Sequence, residues 1–259
     1  MPRAAGRAFT LTELLVLLGI MAVLLAAIVP VLFAGRHHAR LRHNETQVRG
    51  IHQSFLVWTS SSKRGGLGEG PYYPGLEWRA GQPTPNGDMT GFSGDGTHPA
   101  GRFAALLQGN FFTPDYLINP VDQIKVPVVY DWDTAGDTDY ATLTNDNYSY
   151  AVLALPGSEN ERQEWRETLN PQAVVLGDRA RGTDARDISS LWSSEAGGEW
   201  RGHVGRNDNS VSWSESHVFN DTQYGSGEVN PLDDLFADDP DADDAFLVHE
   251  DAVTAYSAN

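Results

Sequence analysis

With 259 residues and 40% hydrophobic content, the chain is long enough to bury a core as one large domain or two small ones, and too apolar for a disordered polymer. Its formal charge of −17 is unevenly spread: residues 1–50 carry six arginines against Glu13 and Glu45, a net of +4, whereas residues 51–259 carry 12 basic and 33 acidic side chains, a net of −21. The main domain therefore lacks the clustered Lys and Arg that nucleic-acid binding needs. With no cysteine, disulfides, thiolate metal sites, cysteine nucleophiles and a lipidated cysteine are excluded.

From Leu11 to Ala34 the chain is almost uninterruptedly apolar, broken by Thr12 and Glu13, and about 20 such residues cross the hydrocarbon core as a helix. A secretory signal has a shorter apolar stretch, roughly 7–15 residues, and then a small-residue cleavage site. Arg3 and Arg7 precede the span and Arg36, Arg40 and Arg42 follow it, so basic flanks give no orientation. An ionisable group inside a span is expensive and marks a partner or a function, which singles out Glu13; the competing reading keeps it hydrated at head-group depth. His37 and His38 follow the span and read as interfacial, with no third metal ligand beside them.

Beyond the span, Leu41, Val48, Ile51, Phe55 and Trp58 recur on one helical face, leaving Arg42, Asn44, Glu45, Gln47 and Arg49 to water. A helix from Leu11 to about Ser60 would be roughly 75 Å long. Ser60 to Gly70 ends it. Residues 63–101, with Pro71, Pro74, Pro83, Pro85 and Pro99, read as a long irregular connection. A short helix is expected at Gly101 to Leu107 and a turn at Pro114, followed by strands at Val126 to Trp132, Tyr148 to Leu155, Ala173 to Gly177 and Ser210 to Trp213. One long helix and several strands predict an α+β fold, with the helix packed on one face of a mainly antiparallel sheet with long irregular loops.

Asp131, Asp133, Asp137 and Asp139 alternate around Gly136 and offer the oxygens that calcium accepts, but Ala135 and Thr142 depart from an EF-hand loop; the alternative is a solvated acidic turn. The acidic run from Asp233 to Asp244 reads as a solvated tail in which Leu235 and Phe236 are candidates to dock. His203, Asp208 and Ser210 are the residue types of a hydrolytic triad, but they fall within eight residues and without a nucleophile elbow. A tight turn at Asp208 and Asn209 between two strands is the preferred reading.

Gly6, Arg7, Ala8, Phe9, Thr10, Leu11, Thr12, Glu13, Leu14 and Leu15 set a basic leader against a phenylalanine, with a carboxylate just inside an apolar helix. The stretch resembles the processing site of type IV prepilins and type II secretion pseudopilins. The resemblance implies cleavage by prepilin peptidase between Ala8 and Phe9, N-methylation of Phe9, and Glu13 as the acidic fifth residue of the mature chain that sets register in a fibre. Pro30 would be the twenty-second residue, where pilin helices often carry a proline; Ala8 stands where the family usually has glycine. Four further segments are similar to prepilin-type proteins abundant in planctomycete bacteria: Gln47 to His52, Tyr72 to Gly75, Asn147 to Tyr150 and Trp200 to Trp213.

On that resemblance the chain divides into a leader (1–8), a transmembrane helix (9–34), an amphipathic continuation (35–62), a pilin-like domain (63–231) and an acidic tail (232–259). It also implies a non-enzymatic fibre subunit anchored in the inner membrane by a single pass, with its C-terminal domain periplasmic or extracellular. Its partners would be the peptidase, other pilin or pseudopilin subunits, the inner-membrane assembly platform and membrane lipid. The alternative is a membrane-anchored extracytoplasmic domain that binds a ligand or acts as an enzyme.

Overall fold

The computed structural model describes residues 9–62, 71–87, 89, 94–122, 128–136, 140–155, 162–180, 188–192, 199–237 and 245–249. The chain divides into two compact units, residues 1–43 and 44–259. Helix α1, Leu11–Ser62, begins in the first and ends in the second.

In the first unit, Leu11–Val29 has a mean hydropathy of 2.6 and no residue buried inside the protein. Among the described residues it is the one helical stretch long and apolar enough to cross a membrane. A single-pass anchor and a signal sequence share that character.

The second unit is α+β. Its first strands, β1 (Leu76–Arg79) and β2 (Gln82–Pro85), form a hairpin inside the segment expected to be irregular. Ala80 and Gly81 both take positive φ, 53° and 92°, which is the two-residue hairpin turn whose twist matches its strands. Pro83 and Pro85 are tolerated because the hairpin stands apart as a two-stranded sheet. Proline density thus hid a hairpin that the turn residues specify.

Helix α2 (Pro99–Gln108) opens on a proline at its first turn, where the missing N–H costs nothing. Gly101 lets α2 press on the preceding loop, since a Cβ there would collide with the Asp95 carbonyl. The turn expected at Pro114 is a 3-10 helix, Pro114–Leu117. The strand expected at Val126 to Trp132 is not formed over 128–132: residues 128–131 belong to no strand and lead into a single helical turn, α3 (Trp132–Ala135), while Val126 and Pro127 lie outside the described residues. Asp131 caps it through its side chain, and Gly136 ends it at φ 66°. Apolar content mimicked a strand there, whereas cap and glycine chemistry decided the conformation.

Strands β3 (Tyr150–Leu153), β4 (Val174–Asp178), β5 (Gly202–Arg206) and β6 (Val211–Ser214) form an antiparallel meander. β7 (Val218–Phe219) pairs with β8 (Asp233–Asp234), and β9 (Leu247–Val248) adds to the free side of β3. The five-stranded order is β6-β5-β4-β3-β9.

Both faces of this sheet are covered, where a single covered face was expected. On one face Tyr150, Val152 and Leu176 join Val48, Ile51 and Phe55 of α1 and Phe103 and Leu106 of α2. On the other, Ala151, Val174 and Val204 meet Trp200, Leu235, Phe236 and Leu247. Within the region expected to be a solvated acidic tail, residues 232–237 and 245–249 supply two strands and part of a core, with Leu235 and Phe236 docking on the second face; residues 238–244, which hold most of the acidic run, lie outside the described residues. Each docked apolar side chain is worth about 1.5–3 kcal/mol when fully buried.

Candidate functional site

Helix α1 starts with a reciprocal cap. The Thr10 backbone N–H donates to Glu13 Oε2 (2.9 Å), the Thr10 hydroxyl donates to the same oxygen (2.9 Å), and the Glu13 N–H donates to Thr10 Oγ1 (3.3 Å). Threonine followed three residues later by glutamate is a capping box, which satisfies N–H groups that a helix start otherwise leaves open. The carboxylate so held lies in a surface groove of about 370 Å³ lined by Phe9, Thr12, Glu13, Val16, Leu17 and Ile20. Phe9 is exposed, and Ala8 lies outside the described residues. One acidic group thus sits against an apolar wall at the start of a helix whose first stretch, Leu11–Val29, hides none of its apolar surface inside the protein.

The second concentration of polar chemistry is a buried centre on β4. Asp178 is fully buried, and its carboxyl oxygens accept from Asn44 Nδ2 (2.7 and 2.8 Å), Asn119 Nδ2 (2.9 Å), Trp192 Nε1 (2.9 Å) and the His203 backbone N–H (2.8 Å). Asn44 also faces His203 Nδ1 at 2.9 Å, and Tyr150 donates its hydroxyl to Asn44 Oδ1 at 2.8 Å. Gln47, one turn on, donates to the carbonyls of Tyr116 (3.2 Å) and Ile118 (3.0 Å). Beside this centre Arg179 forms a bidentate pair with Asp122, at 2.7 and 2.8 Å. Among the described residues no nucleophile joins the groups that hold Asp178; Asn44 ties α1 to β4 there, while Asn119, Trp192 and His203 tie the loop after the 3-10 helix, the segment at Trp192 and β5 to the same carboxylate.

The chain matches no protein-family model, no curated protein and no solved structure.

The other sequence candidates separate in space. Asp131 and Asp133 are exposed, with Asp131 Oδ1 accepting the Asp133 N–H at 3.1 Å, whereas Asp137 and Asp139 lie outside the described residues. Among the described residues no group of three or more His, Asp or Glu is placed to hold a metal ion. His203, Asp208 and Ser210 do not form a triad. The His203 ring packs against Trp192 and Trp213, at 5.9 and 5.1 Å, which also touch each other, while Asp208 accepts the Ser210 N–H at 2.9 Å as part of the β5–β6 turn. Asn209 takes φ 65° in that turn, so the reading of Asp208 and Asn209 as a tight turn is the one observed. His37 and His38 are exposed, with ring centroids 6.0 Å apart.

Asn44 and Gln47, assigned to water from the helical pattern, are buried, because the covered face of α1 is wider than its apolar stripe, while Arg42, Thr46 and Arg49 stay exposed on the other side. The buried turn residue Asn207 also has a structural task. It accepts from the Tyr73 hydroxyl (2.9 Å) and donates to the Glu164 and Arg166 carbonyls (2.6 and 2.9 Å). Neither role was legible in spacing, because each depends on partners 41 to 159 residues away.

His52 lies next to this turn, with Nδ1 3.1 Å from Asn209 Oδ1 and its ring edge-on to Phe55 and Tyr73. Desolvation is the largest influence on it and pulls its pKa below the usual histidine value, against opposing contributions from Asn209 and Asn207. The unfolded chain thus takes up this proton first. Stability is fully present above about pH 6.5 and is lost as pH falls from there through the lowered folded value, with a slope of at most about 1.4 kcal/mol per pH unit. Urea denaturation of the full chain in detergent from pH 7.5 to 5 should show this loss, and His52→Gln should flatten the His52 part of it. An unchanged slope in the variant would refute the assignment.

Proposed function

We propose that the chain is a subunit of a type II secretion pseudopilus or type IV pilus-like fibre, processed and N-methylated by prepilin peptidase. The observation that carries this reading is the single carboxylate of Glu13, held at the start of an apolar stretch, Leu11–Val29, whose surface the protein itself leaves uncovered. Such a surface needs lipid or other helices around it, and a carboxylate within it needs a cationic partner. In a fibre the apolar helices supply the first, and the amino group of a neighbour's Phe9 supplies the second. Before assembly the same helix anchors the chain in the inner membrane by a single pass, with residues beyond the span periplasmic or extracellular.

Mass spectrometry of the mature chain should find N-methylated Phe9 as its first residue. An intact Met1 or Pro2 terminus in cells possessing the peptidase would sink the proposal. Glu13→Leu should leave membrane insertion intact and reduce sheared surface fibres by at least about tenfold, since the buried charge pair would be lost. Under the alternative, an anchored ligand-binding or enzymatic domain, the same substitution would leave surface function untouched.

A further inference from the structure

Residues 128–133 form an exposed ridge that is apolar and acidic at once. Val128, Val129 and Trp132 are 65%, 45% and 48% exposed, and Asp131 and Asp133 stand between and beside them. The ridge is firmly built. The Val128 N–H donates to the Asp146 carbonyl (3.0 Å), Asn147 Nδ2 donates to the Val128 carbonyl (2.8 Å), and Tyr130 is buried beneath with its hydroxyl 2.7 Å from Thr142 Oγ1. A pinned segment that presents three large apolar side chains and two carboxylates has the composition of an interface rather than of a solvated turn.

The complementary surface is in the same sequence. Just past the apolar span, Arg36, His37, His38, Arg40, Arg42 and His43 are exposed on α1. Arg36, Arg40 and His43 share one helical face. Arginine suits such a ridge in two ways, since its guanidinium forks onto carboxylates and stacks on the face of tryptophan. Residues 1–50 carry +4 and the rest −21, so copies held in one membrane present opposite charge to one another at high effective concentration.

We propose that the ridge of one copy, through Asp131, Trp132 and Asp133, docks on the basic collar of a second copy, at Arg36 and Arg40. The contact rests on the fibre reading and gives it a specific lateral interface between the outer domain and a neighbour's helix.

The absence of cysteine makes a clean test. A full chain carrying Arg40→Cys is co-expressed with a differently tagged full chain carrying Asp133→Cys, and native membranes are oxidised. A mixed disulfide dimer is expected, weakened when salt is raised from about 0.05 to 0.5 M. Fibre yield should fall at least about tenfold in D131K/D133K and recover when R36E/R40E is added, with near-UV circular dichroism confirming the fold of each variant. Wild-type fibres without the cross-link, or charge reversal without rescue, would overturn the contact. So would collar variants whose sole defect is lost retention on phosphatidylglycerol vesicles, which would assign the collar to lipid. A cross-link in cells that make no fibres would keep the contact and sink the fibre reading, and absence of both would sink both.

Discussion

Asp178→Ala is expected to destabilise the second unit by about 4 kcal/mol or more, in the range reserved for single changes that break a buried network. The side chain is fully buried and accepts from two asparagine amides, an indole N–H and a backbone N–H. Removing it strands donors that have no water to turn to, and each costs about 1–3 kcal/mol. Some of the loss is offset because a carboxyl group no longer has to be desolvated. Asp178→Asn should recover little, since its amide presents donors where acceptors are required. Denaturant titration of the full chain in detergent measures both, and a loss below about 1 kcal/mol for the alanine variant would show that the centre is dispensable. The partners come from α1, the loop after the 3-10 helix, the segment at Trp192 and β5, so the loss should be cooperative across the domain.

Arg102→Met is the second large effect, expected at about 2–4 kcal/mol, or roughly 5–15 °C in Tm. Arg102 is completely buried on α2 and donates to three carbonyls: Gly96 (3.1 Å), Leu153 (2.6 Å) and Thr97 (2.8 Å). Its guanidinium also lies 5.1 Å from the centre of the Trp165 ring. Desolvation pulls its pKa down to about 9, so it remains charged at neutral pH, satisfied by carbonyl dipoles and a π face. Methionine fills similar volume but leaves three acceptors open, while removing the cost of burying a cation. The expected sign follows because the three acceptors outweigh that relief. Arg102→Lys keeps the charge without the planar fork and should fall between. Thermal melts followed by tryptophan fluorescence test the series, and a methionine variant more stable than wild type would show that charge burial dominates.

Much of the architecture is local enough to read in one dimension. The apolar run from Leu11 sets a span by length alone, and Val48, Ile51 and Phe55 give the helical face that meets the sheet. The strands at Tyr150, Val174 and Val211 follow from short apolar or alternating runs bounded by turn residues. The strand expected near Val128 failed because exposed apolar side chains there serve neither sheet nor core, and such exposure is invisible to a composition-based reading. The hairpin at Leu76–Pro85 failed in the opposite direction: prolines outvoted the Ala80 and Gly81 turn.

By itself, then, the sequence determined an apolar helix with one carboxylate at its start, an α+β domain behind it, and the separation of basic from acidic charge, since each depends on residues close together in the chain. Tertiary structure alone decided that Asn44, Gln47, Arg102 and Asp178 are buried, with partners from other segments, and that Leu235, Phe236 and Leu247 cover the second face of the sheet. The reason is physical: hydrogen bonds between groups more than 100 residues apart, such as Asn44 to Asp178, leave no period or motif in the sequence. Burial depends on what covers a surface and not on what composes it.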